Sequence, residues 1–275
     1  MSKSTDTGNS FSKIRLLGAA IDLLTASDLI NVVEQCIDDS QKIVIANHNL
    51  HSLCLSHRPD KTIELFRSFY STANYTVADG MSVIALGWLY GKAMRREHRI
   101  AYNDWLPHVL PLVVERGWRV FYLGSSPEAS ERGAQALHDQ YPRLQLEVHH
   151  GHFDASLDGE DNQRVLAMIA EYQPHLLFVG MGMPRQEAWI VENLREIRAN
   201  AILTSGATLD YIAGVKRMAP RWMGRIGMEW AFRLITEPRR LAFRYLVEPW
   251  GLVGVILRSQ FQFLRRPTSV VGDSE

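Results

Sequence analysis

The sequence is poor in thiols: Cys36 and Cys54 are its only two cysteines in 275 residues. They form neither a metal-binding spacing nor a disulfide framework, which suits a reducing cytoplasm. Both fall in amphipathic stretches, where buried structural thiols are found. The start, "MSKSTDTGNS", lacks the apolar core of a secretory signal, so residues 1–12 read as a disordered tail, with a second at 267–275. No uncharged run reaches the ~20 residues that a spanning helix needs. Also missing are a Walker loop, a G-x-S-x-G elbow and any D-x-D pair. These absences argue against a P-loop nucleotidase, an α/β-hydrolase and a site that holds Mg²⁺ on clustered carboxylates. The ten histidines are scattered, and neither His48 with His51 nor His149 with His150 makes a zinc set.

Net charge is absent too, with 30 Lys and Arg against 30 Asp and Glu, but the balance hides a polarity. Residues 216–275 hold 11 basic and 5 acidic side chains, leaving 19 and 25 for residues 1–215. One end of the chain is therefore built to meet an anion: a membrane, a phosphate or a nucleic acid.

What is present alternates. Strand-like runs at 14–24, 42–46, 75–78, 118–124, 144–151, 175–180 and 200–206 are separated by helical patterns at 25–37, 60–72, 80–90, 104–116, 126–141, 161–172, 183–197 and 207–214. Thr25 and Asp28 have the spacing of an N-terminal capping box, and Pro127 suits a first helical turn. Such alternation predicts an α/β fold, a mostly parallel sheet flanked by helices on both faces. From Lys216 the strands stop. Arginines alternate with tryptophan, phenylalanine and tyrosine, and Pro238 and Pro249 are expected to break this stretch into short helices. The domain reading is an α/β core at 13–215 and a basic, aromatic helical appendage at 216–266.

Within this frame "TVADGMSVIAL" puts a carboxylate, Asp79, where a strand meets a helix. Asp-Gly is common turn chemistry; it is also where an open parallel sheet holds its ligands. Glycines mark three further strand-to-helix junctions: Gly124 in "LGSSPEAS", Gly180 and Gly182 in "VGMGMPRQE", and "TSGATLD". Free N–H groups at such helix starts bind phosphate, and together the junctions favour a nucleotide-type ligand. Gln186 offers an amide to a sugar or base edge, while helix-dipole stabilisation suffices to explain Glu187. The appendage reads as solvated helix faces, as a nucleic-acid surface, or as an anionic-membrane surface; the large apolar residues and acidic core favour the membrane.

In order along the chain, "VADG", "YLGSSPEA", "VGMGMPRQEAWI", "DYIAGVKRMAP" and "MEWAFRLITEPRRLAFRY" resemble the WecG/TagA/CpsF family of bacterial glycosyltransferases, over about residues 14–250. The resemblance implies a Rossmann-like core with a membrane-associating appendage, at the inner face of the cytoplasmic membrane. It implies a UDP-sugar donor, a polyprenol-diphosphate-linked sugar acceptor, and inversion without a catalytic metal or other cofactor. Nucleic acid is then not a partner. Asp79 falls on the family's general base. Of the family's T-x-N, only Asn47 carries over, since Ile45 stands for the threonine. Of R-x-x-G-x-D, Arg99 and Asp104 carry over, with Tyr102 or Asn103 in place of the glycine, which leaves the donor open among glucose, N-acetylmannosamine and its uronic acid. Gln186 and Asp210 match donor-site positions, and Arg233, Arg240 and Arg244 match positions facing the lipid diphosphate. The alternative is a non-catalytic, membrane-attached nucleotide-binding module, which shares the glycine turns but has no use for Asp79. Self-association and lipid contact both remain open for an exposed apolar face.

Overall fold

A computed structural model describes residues 11–58 and 63–264. The tails expected at 1–12 and 267–275 lie outside this range, except for Phe11 and Ser12; the Phe11 ring meets Tyr75 edge-on.

Six strands form one parallel sheet in the order β4-β3-β8-β7-β5-β6. They are β3 (Ile43–His48), β4 (Tyr75–Ala78), β5 (Arg119–Gly124), β6 (Gln145–His149), β7 (Leu176–Gly180) and β8 (Ala201–Thr204). The central strands are apolar on both sides, as a sheet covered on both faces requires. Ile43 and Ile45 of β3, Val120 and Tyr122 of β5, and Leu176 and Phe178 of β7 enter one core layer. That layer is completed by α1 (Ala26–Asp38), α5 (Tyr102–Glu115), α6 (Pro127–Gln140) and α9 (Thr208–Ile212). The intervening Val44, Phe121, Leu123, Leu177 and Val179 enter a second layer, against α3 (Glu64–Thr72), α7 (Glu160–Tyr172) and α8 (Arg185–Asn193). Alternate side chains of a strand face opposite sides, so one run of residues fills both layers.

Thr25 caps α1 with the reciprocal bonds of a capping box, as its spacing predicts. A short antiparallel hairpin, β1 (Lys13–Leu16) with β2 (Ala19–Asp22), packs beside the edge strand β4. There the Thr76 amide, which has no neighbouring strand to serve, donates to Asp22 Oδ2 at 2.8 Å. One helix escaped the sequence reading: α2 (Leu50–Ser56) follows β3 directly, capped by the Asn49 side chain on the Ser52 amide.

After α9 come α10 (Arg221–Arg225), α11 (Glu229–Thr236), α12 (Pro238–Ala242) and α13 (Glu248–Leu264), the last two joined by π-helical turns at Phe243–Val247. Pro238 starts a helix, as expected, but Pro249 does not end one. It lies in the first turn of α13, next to the wider π turns, where its missing N–H costs least. Among the described residues no helix is long and apolar enough to cross a membrane.

Candidate active site

The turn after β4 fixes Asp79. Its amide donates to the His48 carbonyl at 2.7 Å, and Gly80, at φ +100°, turns the chain into α4 (Met81–Leu89) through a conformation side chains rarely adopt. Beside it the Arg99 segment extends the edge of the sheet, with Ile100 N donating to Ala78 O at 2.8 Å. Asp79 thus serves both of its sequence readings, as a turn residue and as a carboxylate at the strand ends. Asp79 is half-buried, and its exposed part opens onto two clefts. Burial holds its pKa above the ordinary 3.8, and Arg233, Arg99 and a hydrogen bond from the Asn49 side chain pull it back part of the way.

The first cleft, about 500 Å³, runs across the carboxyl ends of the central strands. Its floor is made by Asn47 near the end of β3, Ser125 and Ser126 after β5, Gly180 at the end of β7 with Gly182 beyond it, and Ser205 and Gly206 after β8. This is the usual ligand position in an open parallel sheet. Tyr102 Oη, Asn103 Oδ1 and Arg244 Nε belong to its lining residues and are buried without a hydrogen-bond partner among the described residues. Such atoms call for a polar ligand. A second cleft of about 500 Å³ opens on the other side of Asp79, between α4 and the appendage. Met81, Ala85, Trp88, Ile226, Trp230 and Pro249 give it a largely apolar wall. Asn49, Asp79, Arg233, Arg244 and Tyr245 line both, so Asp79 stands where the clefts meet.

The cationic groups come from the appendage. Arg233 lies over the Tyr211 ring at 5.3 Å. Desolvation opposes its charge, but Tyr211, Tyr245, Asp79 and Glu229 more than offset this and hold its pKa above the usual value. Arg244, in the π turns, makes a ring contact to Tyr245 at 6.0 Å and no hydrogen bond or ion pair among the described residues. Burial, with Arg233 and Arg240 adding repulsion, holds its pKa below the usual arginine value against the pull of Tyr245 and Glu248. Arg240 lines the first cleft and is paired with Glu237. Among the described residues no three His, Cys, Asp or Glu side chains gather as a metal cluster.

Of the positions singled out from sequence, Asn47, Asp79, Gly180, Gly182, Gln186, Asp210, Arg233, Arg240 and Arg244 line the first cleft. Gly124, Arg99 and Asp104 do not line it. Gly124 and Gly180 are needed for strand packing: a Cβ on Gly124 would strike the Gly180 carbonyl, and one on Gly180 the Tyr122 hydroxyl and the Gly206 carbonyl. Arg99 donates to Asp104 at 2.8 Å and to Glu229 at 2.7 Å. Gln186 turns inward, accepting from the Gly182 amide at 3.2 Å and donating to Glu187 at 2.7 Å, so it shapes the glycine loop. Asp210 is ion-paired with Lys216.

The sequence reading passed over several residues. Glu187 is fully buried, and burial pushes its carboxyl up to about 7, so a surface dipole effect does not account for it. Asn49 escaped because α2 escaped. Glu248, at the start of α13, bonds His51 and, at 2.6 Å, Arg58, fastening the appendage to α2. Glu229 fastens it to Arg99. These pairs join segments far apart in the chain, and only the "EW" and "EP" of the appendage hinted at them.

A model of the family described as glycosyl transferase WecG/TagA/CpsF matches residues 14–266. Similar curated proteins include the N-acetylglucosaminyldiphosphoundecaprenol N-acetyl-beta-D-mannosaminyltransferases of Staphylococcus aureus strains MRSA252 and NCTC 8325 / PS 47. Each is 25% identical over 233 residues, covering 83% of this chain and 87% of the relative.

Proposed function

The chain belongs to the WecG/TagA/CpsF glycosyltransferase family, and from that premise we propose that it moves a hexose-type sugar from a UDP-sugar to an undecaprenyl-diphosphate-linked sugar. The observation that carries this reading is the meeting of the two clefts at one carboxylate. The polar cleft over the strand ends suits a nucleotide sugar, and the apolar-walled cleft suits a lipid-linked acceptor. Asp79 accepts the proton of the acceptor hydroxyl as its oxygen bonds to the anomeric carbon. The bond from that carbon to the diphosphate breaks on the opposite face, so configuration inverts and UDP leaves with the electron pair. An alcohol is a poor nucleophile near neutral pH, and a carboxylate whose pKa burial has raised is a better base for it.

The departing diphosphate needs cationic stabilisation. Arg233 and Arg244 line both clefts and face the diphosphates of donor and acceptor, while Arg240 serves the donor side. With cation supplied by these side chains, transfer proceeds without a bound metal. The named relatives act on N-acetylglucosaminyldiphosphoundecaprenol, which supports the acceptor class. They transfer N-acetylmannosamine, which puts that sugar beside glucose and the uronic acid as candidate donors. The work belongs to the cytoplasmic membrane face, in assembly of a surface polysaccharide.

The test is UDP release from a panel of UDP-sugars, with a short-chain polyprenol-diphosphate sugar as acceptor and EDTA present. Turnover with one donor is the expected result. Turnover only after adding Mg²⁺ overturns metal independence. No turnover with any donor, despite UDP binding, overturns the transferase reading in favour of a nucleotide-binding module.

A further inference from the structure

We infer that the core supplies its own membrane contact: the tip of α4, with the basic loop after it, seats one rim of the second cleft on an anionic lipid surface. The proposal rests on reading that cleft as the acceptor's path. The appendage supplies the opposite rim, where Ile226 and Trp230 are 62% and 44% exposed. Facing it across the same cleft, Trp88 is 46% exposed, and its neighbour Leu89 is 59% exposed. Two large apolar side chains at the end of a helix, one forming the cleft rim, are not explained by packing among the described residues.

The tip is built to hold its shape. Trp88 Nε1 donates to the Met94 carbonyl at 2.8 Å, so the indole's polar edge is satisfied inside while its ring faces out. Met94 is buried against α4 where Gly87 leaves room; a Cβ there would strike its thioether. The loop between is thereby clamped to the helix. Lys92 lies within it, and Arg95 and Arg96, both exposed, follow Met94 directly; Glu97, paired with Arg95 at 3.2 Å, is the one acid of residues 90–97. This patch is basic within residues 1–215, which hold 19 basic and 25 acidic side chains overall. Aromatic and aliphatic side chains ringed by arginine match the headgroup boundary of an anionic bilayer. A bilayer touching both rims delivers a polyprenyl chain into the cleft sideways, with its diphosphate at the level of Arg233 and Arg244.

The experiment is co-sedimentation of the full chain with acceptor-free vesicles, either neutral phosphatidylcholine or phosphatidylcholine with phosphatidylglycerol. Leu89→Glu and Arg95→Glu line neither cleft. Each is expected to weaken binding to the anionic vesicles by about fivefold or more, with UDP release from a water-soluble acceptor unchanged. A Leu89→Cys variant carrying an environment-sensitive dye gives an independent reading. Cys36 and Cys54 do not compete for the label, because both are buried and burial pushes their thiols up to about 12 and about 11. A blue shift on anionic vesicles is expected. Native vesicle affinity in both charge variants, with a dye that stays in water, overturns the proposal. So does a homo-oligomer split by Leu89→Glu while vesicle binding is intact, which assigns the patch to a second copy. The vesicles contain no acceptor, so the two readings fail separately: lost turnover leaves the binding shift untouched, and intact turnover without a shift removes only the membrane contact.

Discussion

Arg99 Nη2 donates to Glu229 Oε1 at 2.7 Å, joining the strand-edge segment beside Asp79 to α11 of the appendage. Nη1 of the same guanidinium is held by Asp104 at 2.8 Å, and the side chain is 14% exposed. The cation therefore keeps one carboxylate if the other is lost, and what Glu229 adds is attachment of the appendage. Glu229→Gln is expected to weaken that attachment by about 1–2 kcal/mol, below the cost of stranding a buried charge, because Asp104 remains and Glu229 is partly exposed. Hydrogen exchange should quicken in α11, while the β5 and β7 amides keep their protection. Equal quickening in core and appendage would mean that the pair stabilises the whole fold instead.

Asp79→Asn keeps the turn, since the Asp79 backbone amide makes the bond to His48 and Gly80 supplies the positive φ. It removes only the proton acceptor. Turnover should fall by roughly 10²–10⁴-fold with UDP affinity unchanged. Near-native turnover would exclude Asp79 as the base. In the native enzyme the acid limb of kcat should lie above the ordinary aspartate value of 3.8, because burial raises this carboxyl and a base works only when deprotonated. Arg233 is the strongest influence pulling that pKa down, so Arg233→Gln should move the limb to higher pH.

Much of this arrangement was legible in the sequence, for local reasons. Strand and helix periods, the Thr25 capping box and the Asp79-Gly80 turn are all encoded within a few residues, and the described fold follows them. The helix α2 was missed because "NHNLHSLCLS" is short and continues an apolar strand without a Gly or Pro break; its local signal is the capping box of Asn49 and Ser52. Pro249 misled because the π turns before it accommodate a residue without an N–H. Gly124 and Gly180 read as ligand glycines in the sequence; the close approach of neighbouring backbone also requires them, a contact visible only once the sheet order is known, and Gly180 lines the first cleft as well. The cleft junction was beyond local reading, since Asp79 and Arg244 come from opposite ends of the chain.

Arg244 offers a test in which binding and stability part company. Its charge is buried among Arg233 and Arg240, and its Nε has no partner, so the folded chain alone gains little from it. Arg244→Gln should leave the melting temperature unchanged or higher. It should weaken acceptor binding by about tenfold or more, the scale of a charge-assisted hydrogen bond. The measurement is the acceptor KM alongside a thermal melt. A lower melting temperature with native KM would assign Arg244 to structure.

Glu187 makes the opposite case, a buried acid with no contact to either cleft. Burial pushes its pKa from the ordinary 4.5 up to about 7, although Gln186 Nε2 donates to one of its oxygens at 2.7 Å. Between those two values the folded chain holds a proton that the unfolded chain has released. Stability from this group is therefore fully present below pH 4.5 and is lost as pH rises through about 7. A glutamine keeps an acceptor for Gln186 and carries no charge at any pH. Glu187→Gln should consequently match the native chain near pH 5 and exceed it progressively towards pH 8, by up to about 3 kcal/mol, the free-energy equivalent of a shift of this size. Denaturant midpoints across that range measure the difference. A gap that stays constant with pH would mean that Glu187 remains ionised in the fold, its charge met by a partner other than Gln186.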